Sequence, residues 1–169
     1  IGENAFPNSL KHITFEIHSS LKIIKKSAFY NCSSLSEILL PSKLVELQPL
    51  VFKLCTSLSH IEIPTSINKI ETSLFADCSS LVSVIIPDSV MSIGDNAFGG
   101  CSSLLQIKIP ESVYSIGNCA FKGCESLKDF EFPSSLGSIG CRAFTDCKSL
   151  TKIVIPINVQ SVGDFAFKG

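Results

Sequence analysis

Six cysteines recur every 23 residues, at Cys32, Cys55, Cys78, Cys101, Cys124 and Cys147. A spacing held so strictly means that one structural unit is repeated along the chain, and it excludes most ways of folding these 169 residues. Other columns keep the same register. Phe6, Phe29, Phe52, Phe75, Phe98, Phe121, Phe144 and Phe167 form one. Leu35, Leu58, Leu81, Leu104, Leu127 and Leu150 form a second, and Pro41, Pro64, Pro87, Pro110, Pro133 and Pro156 a third. One clean unit reads CSSLLQIKIPESVYSIGNCAFKG, from Cys101 to Gly123.

Within that unit, Ile107-Lys108-Ile109 alternates apolar and polar side chains, which predicts a half-buried strand. Pro110 has no N–H and ends it. Val113 to Ile116 predicts a second short strand or extended segment, and Asn118 to Gly123 a single helical or 3₁₀ turn. The last position of that turn is Asn31, Leu54, Asp77, Gly100, Gly123, Asp146 and Gly169 in successive units. Gly, Asn and Asp tolerate a left-handed backbone best, so a left-handed C-terminal cap is expected there, with Leu54 breaking the pattern. The column Gly94, Gly117, Gly140, Gly163 is looser, since Lys25, Gln48 and Glu71 occupy it earlier, and a positive φ is not required of it.

A single unit of this kind cannot bury its own apolar face, but stacked units cover one another. The expected fold is a solenoid, mostly β, with a parallel strand ladder and short helical or 3₁₀ turns. About seven rungs at the ~4.8 Å strand spacing make a rod roughly 35 Å long, with the phenylalanines as a spine. Residues 1–169 read as one array, in which 1–31 is degraded or partial and 32–169 holds six 23-residue units. In residues 9–31 the motif reappears as Leu10, Ile13 and Phe15, offset by two, and register returns by Leu21, Ile24 and Phe29. The chain opens and closes inside a repeat, without the polar capping units a solenoid needs. It is therefore expected to be a fragment of a longer array, and end-to-end self-association is left open.

The cysteine column is expected to consist of free, buried thiols. Stacked copies stand at about the strand spacing, whereas disulfide Cβ atoms lie roughly 3.5–4.5 Å apart. A ladder also offers no tetrahedral cluster for zinc, and no CxxC is present, so neither metal nor cofactor is expected. Cys119 and Cys141 lie off the column; a bond between them across adjacent rungs is one reading, two single exposed thiols the simpler one. Asn31-Cys32-Ser33 fits the glycosylation sequon, but it sits at a turn beside a ladder cysteine, and an unmodified asparagine is expected.

Lys and Arg number 14 against 15 Asp and Glu, for a net charge of -1, so nothing marks nucleic acid as the partner. No apolar run is long enough to insert this segment in a membrane. His12, His18 and His60 have no serine, cysteine or carboxylate at a recognisable motif spacing, and no GxSxG, P-loop, HExxH or GxGxxG occurs. Catalysis needs a positioned constellation, and an enzyme is not expected. Glu62 and Glu131 share a column, but a smooth ladder offers no cleft across which paired carboxylates could cut a glycosidic bond.

The unit Cys-x-Ser-Leu-x-x-Ile-x-Ile-Pro-x-Ser-Val-x-x-Ile-Gly-x-x-Ala-Phe resembles the BspA-like leucine-rich repeat, also called the Treponema-type repeat. Clear copies run from Cys78 to Gly169 and weaker ones back to Ile1. Departures cluster in residues 9–54, where Gln48-Pro49 stands in place of Gly-Asp and Val51 in place of Ala. The resemblance implies a leucine-rich-repeat solenoid, a right-handed β/α superhelix, with no catalytic residues to carry over. It also implies a surface or secreted protein of the kind found in oral and gut bacteria and mucosal protozoa, with adhesion to host or matrix proteins as its role. An intracellular protein-interaction scaffold is the alternative, and unpaired cysteines suit a reducing compartment.

The strand column facing away from the core is Thr14, Leu39, Glu62, Ile85, Lys108, Glu131 and Val154, flanked by His60, Leu105, Gln106, Asp129 and Lys152. A purely solvated face would be polar throughout. Aliphatic anchors among charges suit a protein partner, such as a matrix or host surface glycoprotein, although scattered exposed aliphatics also occur without a role. The expected partner-binding residues are Leu39, His60, Glu62, Ile85, Gln106, Lys108, Glu131 and Val154.

Overall fold

The computed structural model describes residues 1–169. Nine very short strands repeat along it: β1 (Ile23–Ile24), β2 (Glu46–Leu47), β3 (His60–Glu62), β4 (Lys69–Ile70), β5 (Ser83–Ile85), β6 (Ser92–Ile93), β7 (Ser115–Ile116), β8 (Ser138–Ile139) and β9 (Ser161–Val162). All pairing is parallel, in the orders β1-β2, β3-β5 and β4-β6-β7-β8-β9. The register matches the repeat, with Ser92 opposite Ser115, Ser115 opposite Ser138 and Ser138 opposite Ser161. The result is a parallel β-solenoid with one 23-residue unit per turn.

The alternation of Ile107 and Ile109 does not make the principal ladder. That face pairs as strands only between β3 and β5, and beyond them a single bridge joins Gln106 to Asp129. The continuous ladder is the second one, through Ser115–Ile116. One residue column accounts for the closeness of the second face. On the second face glycines let successive rungs close up: a Cβ built on Gly94 would fall 2.8 Å from the Thr72 amide nitrogen, and one on Gly163 only 2.3 Å from that of Cys141. On the first face Phe130 and Phe132 replace the isoleucines of the preceding rung. Their rings pack edge-on to each other (4.9 Å) and to Phe144 (4.7 and 5.5 Å), and need more room than the side chains they replace.

The turns contain no helix, against the expected helical or 3₁₀ segment. The backbone hydrogen bonds show why. Between residues 94 and 101, the amides of Asn96, Phe98 and Gly100 donate to Asn118, Ala120 and Lys122 on the next rung, at 2.8, 2.8 and 2.7 Å. The alternate amides of Ala97, Gly99 and Cys101 bond three residues back, at 3.3, 3.2 and 3.1 Å. Half of the donors are thus committed between rungs, and a helix would need them within one. Two left-handed residues per turn also interrupt any helix. One column is the expected cap, where Asn31, Leu54, Asp77 and Asp146 have φ between 58° and 64° and Gly100 and Gly123 have 77° and 72°. The second column is Asn4, Ser27, Leu50, Ser73, Asn96, Cys119, Arg142 and Phe165, with φ from 48° to 65°. Its mixed side chains gave no sign of it in the sequence.

The phenylalanine column is a stacked spine. Ring centroids from Phe29 through Phe144 are 5.1–5.6 Å apart and their planes lie within 15° of parallel. One hydrophobic core follows it from Ile24 to Ala166. The cysteines lie beside the spine, and each thiol donates to a phenylalanine carbonyl one rung back: Cys55 to Phe29 at 3.2 Å, Cys78 to Phe52 at 3.0 Å and Cys124 to Phe98 at 3.2 Å. Hydroxyls rivet the opposite corner. Ser89, Ser112 and Ser135 donate to the carbonyls of Ile67, Val90 and Val113 at 2.6, 2.6 and 2.7 Å. The first turn keeps its two-residue offset in the backbone: the Ser34 and Ser36 amides bond Asn8 and Lys11, whereas Val45 bonds Lys22, 23 residues back. A turn closed by Ser19 N–H on the Glu16 carbonyl takes up the extra length and leaves Ile17 at its exposed tip.

Candidate functional site

β3 and β5 fix the middle of the outward column. Their register sets His60 beside Ser83 and Glu62 beside Ile85, with Ile61 and Val84 buried between them. Period two then turns Glu62 and Ile85 outward. Leu39, Ile85 and Val154 are 75%, 61% and 68% exposed, and Glu62, Lys108 and Glu131 are exposed in the same column. His60 and Gln106, one step to the side, are exposed as well.

The opening of the ladder beyond β5 gives this face relief. A hollow of about 490 Å³ is lined by Ile85, Gln106, Lys108, Asp129 and Glu131, with Phe132 and Pro133. A neighbouring one of about 590 Å³ is lined by Glu111, Asp129, Glu131, Lys152 and Val154 over Phe130, Phe132 and Pro156. Five of the eight expected residues therefore come together: Ile85, Gln106, Lys108, Glu131 and Val154. Leu39, His60 and Glu62 share the face but line neither hollow. Sequence reasoning passed over Glu111, Phe132 and Ser134. Glu111 Oε2 accepts from the Ser134 amide and hydroxyl at 2.8 and 2.7 Å, which fastens the strand-end loops of two rungs together. The mark of this stretch in the sequence is the break in the isoleucine columns at Phe130 and Phe132.

The charges here are uncommitted. The ion pairs of the chain are His12–Glu37, Lys53–Asp77, Lys69–Glu71 and Lys148–Glu125. None involves Glu62, Lys108, Asp129, Glu131 or Lys152. His12 is engaged with Glu37 at 3.6 Å and His60 Nδ1 meets its neighbour Ser59 Oγ at 3.0 Å, so neither stands in a triad. No three His, Cys, Asp or Glu side chains converge as a metal-holding group. A second, shallower groove of about 470 Å³ runs over the continuous ladder, between Ser92, Ser115, Ser138 and Ser161 and the glycines that follow them. The serine two residues before each of these glycines was its trace in the sequence.

The model of the BspA type leucine-rich repeat region matches residues 1–128 and 92–169, in six copies. The chain belongs to this family. Among solved structures it is similar to the leucine-rich repeat protein of T. pallidum, with 37% identity and a TM-score of 0.63 over 64% of this chain and 53% of that one. It is also similar to a leucine-rich repeat protein from Bacteroides ovatus, with 29% identity and a TM-score of 0.75 over 96% and 48% of the two chains. A leucine-rich cell surface protein from Faecalibacterium prausnitzii shares the fold, at 24% identity, a TM-score of 0.54 and 99% and 67% coverage. The chain spans about half the length of the first two structures. No curated protein matches it. Membership of the family and the solenoid neighbours point to a non-catalytic, protein-binding repeat module. No helix is long and apolar enough to cross a membrane.

Proposed function

We propose that this solenoid binds a protein ligand through the face carrying Leu39, His60, Glu62, Ile85, Gln106, Lys108, Glu131 and Val154, as part of a cell-surface or secreted adhesin for matrix or host glycoproteins. The observation that carries this reading is the set of exposed aliphatics Leu39, Ile85 and Val154 among charges that have no partner within the chain. Apolar anchors ringed by uncommitted polar groups have the composition of an interface centre and its rim. The hollows at Lys108, Glu131 and Val154 give that surface shape. A second reading, an intracellular scaffold, is favoured by the column of unbonded thiols, which a reducing compartment preserves. End-to-end association of the chain belongs to the same proposal. A strict monomer in sedimentation at high concentration counts against that part.

The test is binding of the chain, and of a variant carrying Leu39→Glu, Ile85→Glu and Val154→Glu, to immobilised purified matrix glycoproteins. Binding that disappears in the variant, while its circular dichroism and melting curve are unchanged, supports the adhesin and this face. Binding unaffected by the three changes removes the face. Failure of the wild-type chain to bind any of the glycoproteins, with a specific cytosolic partner captured instead, favours the scaffold.

A further inference from the structure

Of eight cysteines, the two outside the ladder stand in adjoining turns and reach solvent: Cys119 is half-buried and Cys141 exposed. The Cys119 amide donates to the Cys141 carbonyl oxygen at 2.9 Å. With standard backbone lengths, that bond holds the two Cα atoms to roughly 7 Å or less. Disulfides span Cα separations of about 4.4–6.8 Å. The two rungs are also pressed together here, since a Cβ on Gly140, the residue before Cys141, would fall 2.5 Å from the Asn118 amide nitrogen. The Cys141 amide is held by Asn118 Oδ1 at 2.8 Å, which fixes the backbone of one cysteine against the neighbour of the other. The ladder thiols differ on both counts. They are buried and already donate to phenylalanine carbonyls, as Cys124 and Cys147 do at 3.2 Å.

We propose that Cys119 and Cys141 are a reversible oxidation site that closes into a disulfide between adjacent turns when the chain meets a low-molecular-weight disulfide. The exposed Cys141 thiolate attacks one sulfur of that reagent, forms a mixed disulfide and releases one small thiol. The Cys119 thiolate then attacks the Cys141 sulfur and releases the second. Two protein thiols are oxidised by two electrons, the reagent is reduced to two thiols, and the protons leave with them. The bond closes a loop of one full turn, residues 119–141, and ties together the rungs that carry Lys108 and Glu131. By the loop-closure entropy of such a ring the melting temperature should rise on the order of 10 °C.

The experiment treats the folded, reduced chain with oxidised glutathione and reads intact mass, peptide linkage and melting temperature. The expected result is loss of two hydrogens, one cross-linked peptide pair containing Cys119 and Cys141, and return to the starting mass and melting temperature with a dithiol reductant. Cys119→Ser should instead hold glutathione on Cys141. A stable mixed disulfide at Cys141 in the wild-type chain, a Cys141-linked dimer, no reaction at all, or a bridge that includes any ladder cysteine would overturn the proposal.

Discussion

The Cys101 thiol donates to the carbonyl oxygen of Phe75, 3.2 Å away on the preceding turn. The same oxygen accepts the Cys78 amide at 3.1 Å, so one acceptor joins two adjacent turns of the solenoid. Removing the thiol leaves that carbonyl with its amide donor, and the loss is a weak hydrogen bond plus a sulfur-sized void. Cys101→Ala is expected to cost about 1–2 kcal/mol, and Cys101→Ser, which keeps a donor of similar reach, about 1 kcal/mol or less. Urea denaturation of the two variants checks the order. A serine variant as unstable as the alanine variant would mean that packing, not donation, keeps cysteine in this column.

The stacked rings carry more. Phe98 is fully buried, with its ring 5.5 Å from that of Phe75 and 5.2 Å from that of Phe121. Phe98→Ala removes contacts on both sides, with an expected loss of about 3–5 kcal/mol. Phe167 stacks on Phe144 at 5.4 Å on one side only, meets Phe132 edge-on at 6.4 Å, and is partly open to solvent. Phe167→Ala should therefore cost less than half as much in the same denaturation series.

Burial also makes the thiols sense alkali. It pushes Cys78 up to about 12 from an ordinary 9.0, with the Phe52 carbonyl accepting from its protonated form, and it raises Cys147 to about 12 as well. A thiol whose folded value lies above its unfolded one contributes its stabilisation fully below the unfolded value, and loses it as pH rises through the folded one. The window therefore runs from about pH 9 to about pH 12. Lysines also titrate there, so the discriminating measurement is a difference. Under reducing conditions, the stability gap between the wild-type chain and Cys78→Ala should shrink steadily from about pH 8 to about pH 10.5. A constant gap would show that Cys78 titrates alike in the folded and unfolded chain.

The repeat and its core were legible because several columns keep one residue type and the other buried ones stay aliphatic, as Ile24, Leu47, Ile70 and Ile93 do. Phenylalanine, cysteine, leucine and proline recur in register, and each column occupies the same place in every full turn. The first left-handed column was legible for a related reason, since Gly, Asn and Asp are the residues that conformation tolerates. Leu54 shows the limit of that signal: it takes φ 64° because its amide is committed to the Ala76 carbonyl at 2.9 Å. The second left-handed column was invisible, because backbone bonding between turns holds it on Leu50 and Arg142 as readily as on Asn96. Outward-facing residues on the candidate surface followed from period two alone. The hollows did not, since they lie where strand pairing lapses beyond β5, and no column of the sequence reports which neighbouring rungs pair.

Gly140 and Gly137 separate backbone approach from mere smallness. The glycine column needs no unusual dihedral, as Gly140 has none, yet a methyl group there would lie 2.5 Å from Asn118 N and Gly117 C and 2.7 Å from Gly117 O. All three are backbone atoms of the preceding turn, so no side chain can rotate away, and the turns themselves must part. That would strain the Gly140 amide's 2.8 Å bond to the Ile116 carbonyl, where β7 and β8 meet. At Gly137 the nearest atom to a built Cβ is Tyr114 O at 3.5 Å, an ordinary contact. Gly140→Ala should lose about 1–3 kcal/mol, the usual cost of overpacking, and Gly137→Ala should be neutral or slightly stabilising through a stiffer unfolded chain. Equal effects of the two changes in thermal denaturation would mean that the turns are not pressed together along this edge. The close approach that sets Cys141 beside Cys119 would then lose its support.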